Sequence, residues 1–211
     1  YLQAMFFKDL VEKFKMTNIT LLELLTEKLF SSFSQKFSLN TFYNKYKNMY
    51  PFSKDTLYEY YKNLLSSQII FEIKKFAESP YKRTRNPAKI YLVDVGLCRK
   101  VISQDYGRVL ENIVFIHLRK NAKEVFYFSE EKECDFVVKY ENELFPFQVC
   151  YELDEENRER EIEGLIMCCK WLKKREGILL TYDQEEKIKI ENINIHIIPV
   201  WKWLILDKLI F

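Results

Sequence analysis

The chain has 211 residues, of which 48% are hydrophobic and 30% charged, and it contains only four glycines and five prolines. This length accommodates one large or two small domains with real cores, and the scarcity of glycine and proline argues against long flexible linkers. No apolar run approaches the ~18 residues of a membrane helix and no signal peptide is visible, so we expect a cytoplasmic protein without a membrane partner. Because the first residue is Tyr1 rather than methionine, we expect a fragment of something longer.

Cysteine usage indicates a reducing compartment. The five cysteines are odd in number, two are adjacent, and none forms a C-x-x-C pair, which is typical of free thiols rather than of a disulfide framework. The chain has only two histidines, His117 and His196, so a structural zinc site has no motif to support it.

The net charge of +2 conceals an asymmetry along the chain. Residues 1–129 carry 21 basic and 12 acidic side chains, a net of +9, whereas residues 130–163 carry 4 and 13, a net of −9. The remaining residues carry 8 basic and 6 acidic side chains. The basic part suits an anionic partner such as DNA, but the acidic block does not unless metal ions neutralise part of it.

The first part of the chain is predicted to contain four helices and then two strands. Apolar residues recur at helical spacing in four segments, residues 4–14, 17–33, 38–50 and 52–68. The candidate N-caps are Asn18 or Thr20, Ser38 or Asn40, and Ser53. Strands are predicted at residues 69–76 and 89–96, on either side of a polar turn. Two helices joined by a tight turn and followed by a β-hairpin have the order of a winged-helix domain.

From Gly107 onward the pattern changes to alternating helices and strands. A helix is predicted at residues 107–120, a long charged helix at 154–175 and a terminal helix at 201–211. Strands are predicted at residues 124–128, 134–140, 143–150, 177–182 and 193–200. The order predicts a two-domain α+β protein, with a helical winged-helix domain at residues 1–100 and an α/β domain with a mixed central sheet at residues 101–211.

Eight basic side chains form the predicted DNA-contact set. Lys54 and Lys62 face solvent on the second helix of the helix-turn-helix, which presents its N-terminal side chains to the major groove. The other six, in the hairpin segment, are expected to meet backbone phosphates; they are Lys74, Lys75, Lys82, Arg83, Arg85 and Lys89. Asp55 and Glu59 are unfavourable beside phosphate, and winged helices also bind proteins, so a protein partner remains the alternative.

Four residues of the second domain have the arrangement of a nuclease site. Asp135 opens one predicted strand, the next strand ends in Gln148-Val149-Cys150, and Glu111 on the preceding helix is within reach. Metal-dependent phosphodiester cleavage needs carboxylates converging on Mg²⁺ and a cation near the attacking water. Gln148 offers only a neutral carbonyl oxygen, and Cys150 cannot replace the positive charge of a lysine. We therefore predict a weak metal site at Asp135 and Glu111, in a scaffold retained without catalysis.

Several segments resemble a known family. They are similar to the C-terminal region of prokaryotic AAA+-like P-loop ATPases, a region labelled DUF4143, and the resemblance covers nearly the whole chain. The segments are "FFKDLVEKF", "TLYEYYKNLLSSQIIFEIKKF", "AKIYLVDVGL", "GRVLENIVFIHLRK", "ECDFVV", "FPFQVC" and "IIPVWKWL". The resemblance implies a winged helix joined to a PD-(D/E)XK restriction-endonuclease-like domain, in which Glu111, Asp135, Gln148 and Cys150 occupy the nuclease positions. The family usually has Glu-Val-Lys where this chain has Gln148-Val149-Cys150. No G-x-x-x-x-G-K-[ST] loop is present, so ATP is expected only in an upstream ATPase domain.

Three functions are compatible with these observations. The first is a non-catalytic DNA-binding or regulatory part of an ATPase, with no cofactor of its own. The second is a nuclease dependent on Mg²⁺ or Mn²⁺ that tolerates Gln148, with Asp135 as the main ligand, Glu111 as helper, and Lys132 or Lys139 as the base or cation. The third is a protein-interaction module that docks on the ATPase core or binds a basic partner through its acidic helix.

Overall fold

The computed structural model describes residues 8, 10–77, 79, 86–98, 105–122 and 124–206. The chain divides into two compact units, residues 1–72 with 87–103, and residues 73–86 with 104–211. The sequence predicted a single boundary after residue 100. The structure differs at residues 73–86, because Lys74 and Lys75 pair with a strand of the second unit.

The first unit contains helices at residues 10–14 and in three longer segments, followed by a short sheet. Its elements are α1 (Ile19–Ser31), β1 (Gln35–Phe37), α2 (Leu39–Tyr46), α3 (Lys54–Ser66), the start of β2 (Ile70–Lys75), β3 (Ala88–Leu92) and a 3₁₀ turn at Val95–Cys98. The strand order is β1–β3–β2, and β1 pairs antiparallel with β3.

The three long helices begin at predicted caps. The side chains of Asn18, Ser38 and Ser53 each accept a hydrogen bond from the backbone N–H three residues on, at 3.0, 3.2 and 3.0 Å. Each bond satisfies one of the donors left without a partner at a helix start. The caps fix where the helices begin, and the alternatives Thr20 and Asn40 are not used as caps.

Strand β1 was not predicted. It has only three residues, of which Gln35 and Lys36 are exposed, so no alternation of apolar and polar residues marks it. Ser34, with a φ of 57°, turns the chain out of the preceding helix, and its N–H donates to the Ile90 carbonyl at 2.6 Å. Tertiary pairing with β3, rather than local preference, makes this segment a strand.

The second unit is built on a mixed sheet flanked by helices. Its elements are the end of β2, α4 (Tyr106–Asn121), β4 (Glu124–Ser129), β5 (Glu133–Tyr140), β6 (Glu143–Val149), α5 (Arg158–Leu172), β7 (Glu176–Thr181), β8 (Glu186–Ile190), β9 (Ile193–Pro199) and α6 (Val200–Leu206). The strand order is β2–β4–β5–β6–β7–β9–β8. β4, β5 and β6 pair antiparallel, β6, β7 and β9 pair parallel, and β8 closes the edge antiparallel to β9. The predicted mixed α+β class is confirmed.

Two local features fix the register of this sheet. Glu141 and Asn142 join β5 to β6 with φ values of 47° and 69°, a two-residue turn that matches the right-handed twist of a hairpin. β8 was not predicted, because its lysines and glutamate look like a polar loop. Charged side chains are typical of an exposed sheet edge.

Helix α5 lies directly on the sheet at Gly164. A Cβ at this position would be 2.2 Å from the backbone oxygen of Glu133, so only glycine permits the approach. Leu165, Cys168 and Cys169 pack into the core beneath the helix. None of the described helices combines the length and apolar character needed to cross a bilayer.

Candidate functional site

A cavity of about 540 Å³ in the second unit holds three of the four nuclease-position residues. Glu111 comes from α4, Asp135 from β5 and Gln148 from β6, and all three are at least 91% buried. The antiparallel register pairs Phe136 with Phe147, which places Asp135 opposite Gln148. The predicted convergence of these three residues is therefore present in the structure.

Hydrogen bonds hold Asp135 and Gln148 in fixed orientations. The Asp135 N–H donates to Gln148 Oε1 at 3.1 Å, and the Val149 N–H donates to Asp135 Oδ2 at 3.0 Å. Gln148 Nε2 donates to Glu161 Oε2 at 2.5 Å. The amide of Gln148 is thus engaged at both ends, by the backbone of β5 and by a carboxylate from α5.

The residues that line the cavity carry more carboxylates than cations. Six carboxylates line it, from Asp105, Glu111, Glu131, Glu133, Asp135 and Glu161. The cations are Arg108, Lys132 and Arg160, and each has a carboxylate partner. Arg160 bonds Glu161 at 2.6 Å, Lys132 bonds Glu163 at 2.8 Å, and Arg108 lies 4.0 Å from Asp105. An acidic lining repels a phosphodiester unless further cations are supplied.

The weak metal site expected at Asp135 and Glu111 stays a prediction. Among the described residues, no group of three or more histidine, cysteine, aspartate or glutamate side chains is arranged to hold a metal ion. The carbonyl oxygen of Gln148, the one neutral ligand that the sequence offered, accepts a backbone hydrogen bond instead. Mg²⁺ requires several hard oxygen ligands in near-octahedral geometry, and of the predicted ligands the carboxylates of Glu111 and Asp135 line the cavity.

Cys150 does not contribute to the cavity lining. Its Sγ donates to the Glu152 carbonyl at 3.1 Å. Burial raises the pKa of the Cys150 thiol to about 11, and the charge of Glu161 acts in the same direction. The thiol is therefore neutral at physiological pH, and it supplies neither a cation nor a thiolate.

The two lysines considered as catalytic substitutes lie in different places. Lys132 lines the cavity, and its hydrogen bond to Glu163, followed by the charge of that carboxylate, raises the pKa of its ammonium group. Lys132 is thus a cation and not a base at neutral pH. Lys139 pairs with Glu124 at 3.4 Å and does not line the cavity.

The predicted DNA-contact residues differ in exposure. Lys54 and Lys62 on α3 and Lys74 on β2 are exposed. Lys75 pairs with Glu130 at 2.9 Å. Lys89 is only 4% exposed, which contradicts the surface position that contact with phosphate requires. It lies in β3, which is flanked by β1 and β2 in the sheet. Lys82, Arg83 and Arg85 lie outside the described residues.

Two cations on α2 and at its end were missed by the sequence analysis. Lys45 Nζ lies 5.5 Å from the ring centroid of Tyr46, and Lys47 Nζ lies 5.6 Å from that of Tyr43. Lys54 Nζ lies 5.8 Å from the ring centroid of Tyr58 in the same way. The sequence pattern that could have indicated these pairs is the alternation of lysine and tyrosine in "YNKYKNMY". Apolar periodicity, the criterion used for the secondary structure, indicates only that this segment is a helix.

Glu161 and Arg160 were also missed, because in the sequence they are only two of many charged residues in the long helix predicted at 154–175. Their proximity to Gln148 depends on the close approach of α5 to the sheet, which the sequence marks only by Gly164.

The chain matches two described protein families. Residues 1–107 match the model of the family described as "Domain of unknown function (DUF8612)", and residues 106–203 match that of "Domain of unknown function (DUF4143)". The first match covers more than half of the chain, so the chain belongs to the DUF8612 family. The resemblance to DUF4143, predicted over nearly the whole chain, is confirmed for residues 106–203, whereas the preceding residues match the other family.

Two curated proteins are similar to this chain. "Uncharacterized protein MJ1544" of Methanocaldococcus jannaschii is 33% identical over 218 residues, which cover 96% of this chain and 48% of that protein. An "Uncharacterized protein" of Haemophilus influenzae is 28% identical over 155 residues, which cover 72% of this chain and 38% of that protein. The chain therefore spans about half or less of the length of these relatives. No solved structure matches the chain.

Proposed function

We propose that this chain is the DNA-binding, regulatory part of a larger ATPase, and that its second unit is a nuclease-like domain that does not cut DNA. Three lysine ammonium groups that lie over tyrosine rings, on α2, at its end and on α3, carry the DNA-binding half of the proposal. The hydrogen-bonded Gln148 supports the non-cleaving half.

The topology of the first unit supports a winged helix. The element order α1–β1–α2–α3–β2–β3 with the strand order β1–β3–β2 is that expected of this motif. α3 then occupies the position of the recognition helix, and the segment between β2 and β3 corresponds to the wing. Exposed Lys54 and Lys62 lie on α3, and the sequence of the wing includes Lys82, Arg83 and Arg85.

The aromatic and basic surface favours a nucleic acid over a protein. Lysine ammonium groups contact phosphates, which supply most of the affinity without sequence choice. Tyrosine rings beside them offer apolar contact with sugars and bases. This chemistry predicts binding that weakens with salt and depends little on sequence.

The second unit supports a PD-(D/E)XK-like scaffold without its chemistry. Two antiparallel strands bring Asp135 and Gln148 together, and α4 adds Glu111. The groups that a working site requires are replaced by Gln148 and by the neutral thiol of Cys150. Such a domain acts as a rigid platform rather than as a catalyst.

The ATPase part of the proposal rests on length and family resemblance. The relative from Methanocaldococcus jannaschii is about twice as long as the region that this chain matches, which leaves room for the upstream P-loop domain of that family. ATP binds and is hydrolysed there, and the winged helix docks on DNA or on that domain.

DNA binding is tested by fluorescence anisotropy with a labelled duplex of about 30 base pairs at several salt concentrations. Changing Lys82, Arg83 and Arg85 together to Ala weakens binding and makes the plot of log K against log salt shallower by about 0.9 for each phosphate that the variant no longer neutralises. The control variant changes Arg175, Lys187 and Lys189 to Ala, which removes the same charge from exposed positions of the second unit. Equal weakening in both variants reports net charge alone, and an unchanged affinity in the triple wing variant points to a protein partner; either result overturns the proposal.

The absence of cleavage is tested with supercoiled plasmid and Mn²⁺, beside an Asp135→Ala variant as the control. We expect no nicking above the level of the control. Nicking that depends on Mn²⁺ and disappears in the Asp135→Ala variant would establish an active nuclease instead.

A further inference from the structure

Three tyrosines on the surface of the second unit form a stack. The ring centroids of Tyr106 and Tyr151 are 5.4 Å apart with an interplanar angle of 29°, and those of Tyr151 and Tyr182 are 4.9 Å apart at 22°. Tyr106 and Tyr182 are 56% and 53% exposed. We call these three residues the tyrosine stack. Large aromatic side chains at such exposure are usually binding surfaces when they are contiguous.

The backbone holds the tyrosine stack in place before any ligand arrives. The Cys150 N–H donates to the Leu180 carbonyl at 2.9 Å, and the Tyr182 N–H donates to the Tyr151 carbonyl at 3.0 Å. These bonds extend the parallel pairing of β6 and β7 beyond the strand ends and set Tyr151 beside Tyr182. The first turn of α4 brings Tyr106 against the other face of Tyr151.

The surroundings of the tyrosine stack are acidic. Glu152 follows Tyr151 and Asp183 follows Tyr182, and both carboxylates are exposed and without a partner among the described residues. Burial raises the pKa of Tyr151, and the neighbouring tyrosines and then the charges of Asp183 and Glu152 raise it further.

Three arginines on α4 and α5 are already paired. Arg158 bonds Glu186 at 2.6 Å, and Arg160 bonds Glu161 at the same distance. Arg108 has Asp105 as its neighbour at 4.0 Å. Within the described part of the chain, the stack therefore presents aromatic faces and edges together with two free negative charges.

We propose that the tyrosine stack, with Glu152 and Asp183, binds an arginine-bearing basic segment of a partner protein. A guanidinium group lies flat on an exposed aromatic ring and gains both stacking and attraction to the ring quadrupole. The two carboxylates then accept its hydrogen bonds in the bidentate geometry that arginine favours over lysine. This inference does not depend on DNA binding by the first unit.

A single-stranded nucleic acid is the competing occupant. Bases also stack on aromatic rings, but such sites combine the rings with cations that follow the phosphate backbone. Here the charges that flank the stack, those of Glu152 and Asp183, are negative, so each phosphate would be repelled. Charge complementarity selects the basic peptide.

The experiment measures binding of a labelled twelve-residue peptide of alternating arginine and glycine by fluorescence anisotropy. We expect the double variant Tyr106→Ser/Tyr182→Ser to bind the peptide about tenfold more weakly, because it lacks two of the three rings. The variant Glu152→Gln/Asp183→Asn is expected to bind several-fold more weakly and with a reduced dependence on salt. The corresponding lysine–glycine peptide is expected to bind wild type less tightly than the arginine peptide.

The control is Tyr140→Ser, which removes a half-buried tyrosine at the other end of the β5–β6 hairpin. It should bind the arginine peptide as wild type does. Circular dichroism confirms that each variant is folded. Equal peptide affinity in wild type and in the Tyr106→Ser/Tyr182→Ser variant overturns the proposal. So does tighter binding of a twenty-nucleotide oligo-dT than of the peptide, if that binding is abolished in the same variant.

Discussion

Gln148 donates from Nε2 to Glu161 Oε2 across 2.5 Å, in a cavity where most of the lining charge is negative. The neutral amide lets a strand of the sheet and helix α5 meet without placing two carboxylates side by side. Gln148, which stands where the proposed nuclease-like site would have a glutamate, is therefore the residue that makes this contact stable.

Changing Gln148 to Glu should make stability depend on pH. Two carboxylates at this distance share a proton, so the folded-state pKa of the pair rises above the unfolded value of about 4.3. The shared proton contributes fully to the free energy of unfolding of the variant below that value. As pH rises through the folded-state pKa, the free energy of unfolding falls by about 1–3 kcal/mol. Urea unfolding at pH 4.5, 6 and 8 measures the loss.

Gln148→Met is the matched control for this prediction. It loses the same hydrogen bonds but adds no charge, so its destabilisation should not change over this pH range. If Gln148→Glu were destabilised equally at every pH, the two carboxylates would not be in contact.

Cys150 should react slowly with alkylating agents. A thiol with a pKa near 11 has a thiolate fraction that rises tenfold with each pH unit up to that value. Alkylation by iodoacetamide, followed by mass spectrometry of the peptide containing Cys150, should therefore keep accelerating between pH 8 and 10. A rate that levels off near pH 9 would indicate an ordinary, unburied thiol.

Gly164→Ala should destabilise the second unit by about 1–3 kcal/mol, because the Cβ of the alanine would overlap the backbone oxygen of Glu133. A backbone atom cannot move aside as the end of a flexible side chain can. Gly107→Ala is the comparison. Its Cβ would meet only Asp105 Oδ1, at 3.5 Å, so this change in the first turn of α4 should stabilise by about 0.4–1 kcal/mol. Thermal unfolding of both variants measures the difference, and similar effects would contradict the close packing of α5.

Tyr61→Phe should destabilise the first unit by about 1.5–3 kcal/mol. The buried Tyr61 hydroxyl donates to Glu72 Oε2 at 2.7 Å, and burial, followed by the charge of Glu72, raises the pKa of Tyr61 so that it remains a donor. Tyr58→Phe on the same helix removes a longer bond, 3.3 Å to Asn40, at an exposed position and should change stability by less than about 0.5 kcal/mol. Denaturant titrations should show a clearly larger loss in the free energy of unfolding for Tyr61→Phe than for Tyr58→Phe.

Local signals explain what the sequence predicted well. Asn18, Ser38 and Ser53 act on the backbone three residues away, so helix starts could be read from neighbouring residues alone. The meeting of Asp135 and Gln148 was also predictable, because a two-residue turn between two strands fixes which residues face each other.

Contacts between distant segments explain what the sequence did not predict. β1 exists because of β3, and β8 is a charged edge whose pattern resembles a loop. Glu161 reaches Gln148 only because α5 crosses the sheet at a glycine. The tyrosine stack joins residues from three separate segments, and no pattern in the sequence predicts that they lie together.

The division of β2 between the two units has a practical consequence for dissection. Its last residues, Lys74 and Lys75, supply the partner of β4, although they lie far upstream of the segment that matches the second family model. A fragment cut at that match would expose the N–H and C=O groups along one side of β4, an open template for pairing with another molecule. Such a truncated protein is expected to self-associate in size-exclusion chromatography, and appending residues 70–77 through a designed linker should return it to a monodisperse peak.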